Sequence, residues 1–153
     1  MTSHMDFSER FRFAHWPNVK IPKIAAGVYA IWNESELIYC GMSGREIESI
    51  VRSERATPYG LVTRLASHAS GRLSGDQFCV YVANRLVIPR LQHAELSQFA
   101  DGSLTLDSLT KRYIHQNLVY QYCLVKGSKV AYQLEATARG GEIFGQKPFL
   151  NPA

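Results

Sequence analysis

The stretch GVYAIWNESELIYCGM, residues 27–42, does most to restrict the fold. Its runs 27–32 and 37–41 alternate around the polar turn NESE, which reads as an antiparallel hairpin. Each arm carries a tyrosine, Tyr29 and Tyr39, close to a glycine. Side chains alternate along a strand, so the loop decides where the two rings go. An odd loop at 33–35 sets Tyr29 opposite Tyr39 on one face, whereas a four-residue loop sends them to opposite faces. A lone strand tyrosine is an ordinary amphipathic core residue. A facing pair can form the floor of a site, and that requires the odd loop.

Other elements follow from period and punctuation. TPYGLVTRLASHASG reads as a helix capped by Thr57, with Pro58 in its first turn and Gly71 as its stop. Leu61, Val62, Leu65, Ala66 and Ala69 form its buried arc, with Arg64 and His68 together at one edge. QFCVYVANRLVI, 77–88, reads as a third strand, and Pro89 opens a helical insert over 90–99 and 107–118. VYQYCLV, 119–125, reads as a further strand. SKVAYQLEATARGG closes the set as a helix capped by Ser128 and stopped by Gly140–Gly141, with Val130, Leu134 and Ala138 inward and Glu135 at the border. The tail is extended, because Pro148 and Pro152 exclude helix.

The expected fold class is therefore α/β, a small central antiparallel or mixed sheet of three to four strands flanked by helices. A lead-in over 1–24, packing through Phe11, Phe13 and Trp16, precedes one domain over 25–153, with inserts at about 45–60 and 89–118.

A chain of 153 residues, 46% hydrophobic and 20% charged, fits one globular domain. The net charge of +4 hints at a polyanionic partner, and the cluster Arg45, Arg52, Arg55, Arg64 and Arg72 sharpens the hint. Cys40, Cys79 and Cys123 stand apart in apolar runs, which argues for reduced, buried thiols and against zinc or a redox motif. No run is long enough to cross a membrane and no signal peptide is recognisable, so the expected compartment is the cytoplasm.

Gly27-Val28-Tyr29, Tyr39-Cys40-Gly41, the helix with Arg64 and His68, and QLEATARGGEIFGQKPFLN occur in an order that resembles the GIY-YIG nuclease domain. The likeness covers about residues 25–151 and includes the R-x-x-x-H spacing of homing and restriction members. The tyrosines lie slightly closer together than the family's usual spacing. The segment 45–60, the strand 119–125 and the insert before it are additions, expected to be peripheral.

The resemblance implies a divalent-metal-dependent endonuclease acting on nucleic acid, DNA in the first place. It assigns Glu135 as ligand of a single Mg2+ or Mn2+ ion, with Glu142 as the alternative, and Arg64 as the group that binds the scissile phosphate. Tyr29 would be the base or water-positioning group, its pKa lowered by a nearby cation. Tyr39 would hydrogen-bond the phosphate or water, and His68 would share in proton transfer or hold Tyr29. Arg45 and Arg72 are further phosphate-binding candidates. Asn151 is grouped with them, its amide expected to fix backbone geometry. Sequence preference would come from the inserts, from a homodimer or from a partner protein.

Two other readings remain open. One is a module of the same fold that binds nucleic acid without cleaving it, and the other is an unrelated small α/β protein that binds an anionic metabolite.

Overall fold

A computed structural model describes residues 7–152; positions 1–6 of the expected lead-in and position 153 lie outside the described residues. The fold is α+β, a five-stranded sheet with helices on both faces. The strands are β1 (Phe11–Arg12), β2 (Ile24–Asn33), β3 (Glu36–Ser43), β4 (Tyr59–Gly60) and β5 (Leu118–Val125). The antiparallel order is β1-β5-β2-β3, and β4 adds to β2 in parallel. The helices are α1 (Leu61–Ser70), α2 (Gln77–Val82), α3 (Leu96–Asp101), α4 (Leu106–Asn117) and α5 (Ser128–Arg139).

Strand β2 is the axis of the molecule. It is buried from Ala25 to Trp32, as expected of a strand paired along both edges and covered on both faces. One face carries Tyr29 and Ile31 into a core shared with α1, α2 and α4, where Leu61, Leu65, Phe78 and Ile114 are fully buried. The other face carries Val28, Ala30 and Trp32 against Ala131, Leu134 and Ala138 of α5.

The tyrosines reach one face by a route the sequence reading did not foresee. The turn is Glu34–Ser35, an even loop, with Glu34 at φ 54°. A register shift then restores parity: Trp32 pairs with Leu37 but Ile31 pairs with Tyr39, leaving Ile38 as the extra residue of a β-bulge. Tyr29 consequently faces Gly41 and is a diagonal neighbour of Tyr39, with ring centroids 6.3 Å apart.

The two glycines have steric reasons. A Cβ on Gly41 would run into the Tyr29 ring, which occupies that space. A Cβ on Gly27 would lie 2.9 Å from both Leu61 Cδ2 and the carbonyl oxygen of Cys123.

Several sequence expectations are corrected. Residues 77–88 are not a strand. They form α2, a π turn over Ala83–Val87 and a 3-10 turn over Ile88–Arg90, with Phe78, Cys79, Val82 and Ala83 buried at helical spacing. Helix α1 is capped by Gly60 rather than Thr57, because Tyr59–Gly60 is drawn into the sheet beside Ile24–Ala25. Val130 is 47% exposed and Ala131 takes the inward position in α5. Gly127, not Ser128, caps that helix. The additions are not all peripheral, since β5 lies between β1 and β2. The lead-in packs through Phe13, fully buried, and through the partly buried Phe11 and Trp16.

The extended tail lies along the free edge of β3. Phe149 N donates to Leu37 O at 3.1 Å and Leu150 N to Ile38 O at 2.7 Å. This covers an edge that would otherwise be open to pairing. Among the described residues no helix is long and apolar enough to cross a membrane.

Because the Tyr29 ring fills the space above Gly41, Gly41→Ala should lower the unfolding free energy by about 1–3 kcal/mol, the usual cost of overpacking. Urea denaturation measures this, and a Tyr29→Leu background should relieve part of it.

Candidate active site

A cavity of about 380 Å3 opens where α1, α2, α5 and the tail meet around β3. Its lining includes Tyr29, Tyr39, Arg64, His68, Glu135 and Asn151. Helix α5 packs on the opposite sheet face from α1, so Glu135 and Arg139 reach the cavity around the β3 edge, past Cys40 and Gly41.

Tyr29, 2% exposed, forms a 2.7 Å hydrogen bond between its hydroxyl and His68 Nε2. His68 is equally buried, and its Nδ1 lies 2.7 Å from Asp76 Oδ2. Ser67 Oγ donates to the same carboxylate oxygen at 2.6 Å, and Cys79 N donates to Oδ1 at 2.9 Å, which makes Asp76 the N-cap of α2. Burial alone would raise the Asp76 pKa, but the hydrogen bonds from His68, Ser67 and Cys79 outweigh it and hold the carboxyl at about 2.

The protons can therefore be placed. An ionised Asp76 only accepts, so His68 Nδ1 carries the hydrogen and Nε2 presents a lone pair to the Tyr29 hydroxyl. Burial keeps His68 neutral by lowering its pKa from 6.5, against the pull of Asp76. The imidazole is boxed in by Phe78, with centroids 4.6 Å apart, and by Tyr29 and Tyr39.

The sequence reading required a lowered tyrosine pKa, and the structure reverses this. Burial, reinforced by Tyr39, pushes Tyr29 well above 10, with Arg64 only opposing. Burial and the Glu135 carboxylate push Tyr39 to about 12. Both phenols are neutral. A neutral phenol can hand on a proton only to an acceptor, and His68 Nε2 is the acceptor at the Tyr29 hydroxyl.

The other expected residues divide. Arg64 is exposed on α1 and lines the cavity. Asn151 does not offer its amide to a ligand: its Oδ1 accepts from Cys40 N at 2.8 Å and its Nδ2 donates to Cys40 O at 3.0 Å, fixing the strand between Tyr39 and Gly41. Arg45 lines an adjoining groove rather than the cavity, and Arg72 lines neither. Glu142 is exposed and outside the cavity lining.

Arg139 and Asp76 escaped the sequence reading, as did the lining residues Gln77 and Tyr81. Arg139 pairs with Glu135, Nη1 to Oε1 at 3.1 Å, and its Nη2 donates to Pro152 O at 3.1 Å. Asp76 was masked by the strand assigned to 77–88. The signal was a cap-type residue ahead of the helical spacing of Phe78, Cys79, Val82 and Ala83.

No three-residue metal-ligand cluster exists among the described residues. Among the described residues, what the cavity offers a cation is a single carboxylate, Glu135. Its Oε1 is shared with Arg139, and no hydrogen bond among the described residues engages Oε2. A hard divalent ion that keeps most of its water could use such a donor set, and Glu135 would then be its holder.

The chain matches no family model, no curated protein and no solved structure.

The buried relay predicts acid sensitivity. Between its lowered folded value and 6.5, His68 takes a proton only when unfolded; Asp76 likewise binds its proton more tightly unfolded, near 3.8, than folded, near 2. In each case the unfolded chain holds more protons, so stability falls as pH falls. Unfolding free energy should decline below pH 6.5 and again between about 4 and 2. Asp76→Asn should cost about 1–3 kcal/mol near neutral pH and remove the lower step, as followed by denaturation at stepped pH.

Proposed function

We propose that the protein is a divalent-metal-dependent nuclease that hydrolyses phosphodiester bonds in nucleic acid, DNA in the first place. The observation that carries this reading is the buried chain Tyr29–His68–Asp76 ending in a cavity that also holds Arg64 and Glu135. The ordered resemblance to GIY-YIG nucleases supports the same reading.

Hydrolysis of a phosphodiester needs an acceptor for the water proton, positive charge for the phosphorane-like transition state, and relief of charge on the departing oxygen. The Tyr29 hydroxyl takes the proton from the attacking water and passes its own to His68 Nε2. The imidazolium so formed is stabilised by Asp76, already ionised and 2.7 Å from Nδ1. The base strength is thus that of a histidine, delivered through a phenol, and no phenolate is required. Arg64 binds the non-bridging phosphate oxygens through its planar fork. Tyr39 hydrogen-bonds the phosphate or the water. A bound Mg2+ or Mn2+ ion would supply Lewis-acid relief at the leaving 3′ oxygen. Glu135 would hold it, giving up part of its pairing with Arg139 and freeing that guanidinium toward the phosphate.

The test is nicking of plasmid DNA with magnesium or manganese. Expected is cleavage abolished by EDTA. Binding without cleavage under any divalent ion would instead favour a non-cleaving module of the same fold.

Glu135→Ala should abolish cleavage while DNA binding survives or strengthens, because the change removes a negative charge from the binding face. Full activity of Glu135→Ala in magnesium would sink the ligand assignment. Tyr29→Phe should cost about 10²–10⁴ in rate, the usual worth of a positioned proton acceptor, and Tyr39→Phe less. With His68 as final acceptor, the rate should hold as pH falls to 6.5 and drop only below it, because the imidazole pKa lies under that value. A wild-type rate for Tyr29→Phe would overturn the relay.

A further inference from the structure

Beside the cavity runs a groove of about 760 Å3 that shares Met42 and Arg64 with it. Helix α1 and Tyr59 form one wall, the start of α5 the other, and the end of β3 the floor. Its charge is one-sided: Arg45, Arg64 and Lys129 line it, and among the described residues no carboxylate does. Two of its residues are exposed aromatics, Tyr59 at 52% and Tyr132 at 69%.

These tyrosines have little structural role to account for them. Tyr132 points away from the α5 face that packs on the sheet, whose buried residues are Ala131, Leu134 and Ala138. Tyr59 is fixed by its backbone, since Tyr59 N donates to Lys23 O at 2.8 Å and Ile24 is its strand partner. Its hydroxyl reaches only Arg45 O at 3.4 Å. The parallel pairing with β2 thus holds an aromatic ring in solvent at the groove wall.

We propose that this groove binds an unpaired stretch of nucleic acid adjoining the scissile phosphate, with its bases stacked on Tyr59 and Tyr132 and its backbone held by Arg45 and Lys129. The inference rests on the nuclease reading above and adds the substrate's form. Bases in a duplex are stacked on one another and show a groove only their edges, so exposed ring faces find no partner there. An unpaired base offers both of its faces, and stacking on tyrosine is indifferent to sequence. The cation-lined, acid-free wall supplies the sequence-independent attraction for phosphates. The groove's volume falls within the roughly 300–1,000 Å3 of sites that enclose a small organic ligand. That is room for about one or two nucleotides.

The experiment is fluorescence anisotropy in EDTA with the full chain, so that binding is read without cleavage. The probes are a labelled blunt duplex and the same duplex with a short single-stranded tail, deoxyribose in one series and ribose in another. Expected is tighter binding of a tailed form, of either sugar, by about fivefold or more. Tyr132→Ala and Tyr59→Ala should each erase most of that advantage and leave the blunt duplex unaffected, whereas Tyr132→Phe and Tyr59→Phe, which keep the ring face, should retain it. Lys129→Ala should lower the salt slope of binding by about one. Equal affinity for tailed and blunt duplexes, or alanine variants that keep the tail preference, would overturn the proposal. Cleavage without a tail preference would sink the groove assignment alone. A tail preference without cleavage under any divalent ion would support the groove and sink the nuclease reading.

Discussion

A phenol that is 2% exposed in the middle of the central strand needs a hydrogen-bond partner from another element, and much of the site's architecture meets that need. The Tyr29 hydroxyl uses His68 on α1. A buried imidazole has a second nitrogen to satisfy, and Asp76 at the head of α2 takes it. A buried carboxylate in turn requires donors, which Ser67 and the first turn of α2 supply. The sheet, α1 and α2 are thus tied by one chain of polar groups through a largely apolar core. Each link leaves the next with an unmet requirement, so removing one member strands its neighbour, at a cost larger than the net worth of a single bond.

The hairpin, the arginine-bearing helix, the final helix and β5 were legible because each is an apolar run or period bounded by turn-type residues such as glycine, proline or asparagine. The segment 77–88 was not. Its aromatic and β-branched residues have high strand propensity, yet Phe78, Cys79, Val82 and Ala83 bury together as a helix face. Tertiary burial overrode propensity there, and with the helix went its cap, Asp76. Hairpin parity was legible as a question only. A bulge at Ile38 shifts register through tertiary packing, and nothing in NESE announces it. Arg139 was hidden for another reason: α5 approaches from the opposite sheet face, so its reach around β3 depends on the edge geometry of the whole sheet.

Asn151 lines the cavity and, as its amide was expected to do, holds backbone. Its amide copies the donor–acceptor pair of a neighbouring strand and closes on both backbone groups of Cys40. Cys40 lies between Tyr39 and Gly41, so the tail sets the position of one cavity tyrosine and of the glycine on which the other rests. The chain's last described residues thereby brace the strand that divides the relay from Glu135.

The electrostatics of the cavity suit the proposed chemistry better than a pre-formed phenolate would. Burial keeps Tyr29, Tyr39 and His68 neutral, and Asp76 is screened from the cavity by three donors. In the proposed reaction an arriving phosphate would therefore meet Arg64 and Arg139 against one half-buried carboxylate among the described lining residues, Glu135, already paired with Arg139. A standing phenolate would repel that phosphate and would cost more to bury than a neutral ring. A relay ending at His68 develops its positive charge only as the water loses its proton, beside a carboxylate already in place to receive it. In such a layout the negative charge that would hinder substrate entry stays behind the imidazole, and the positive charge appears at the step that uses it.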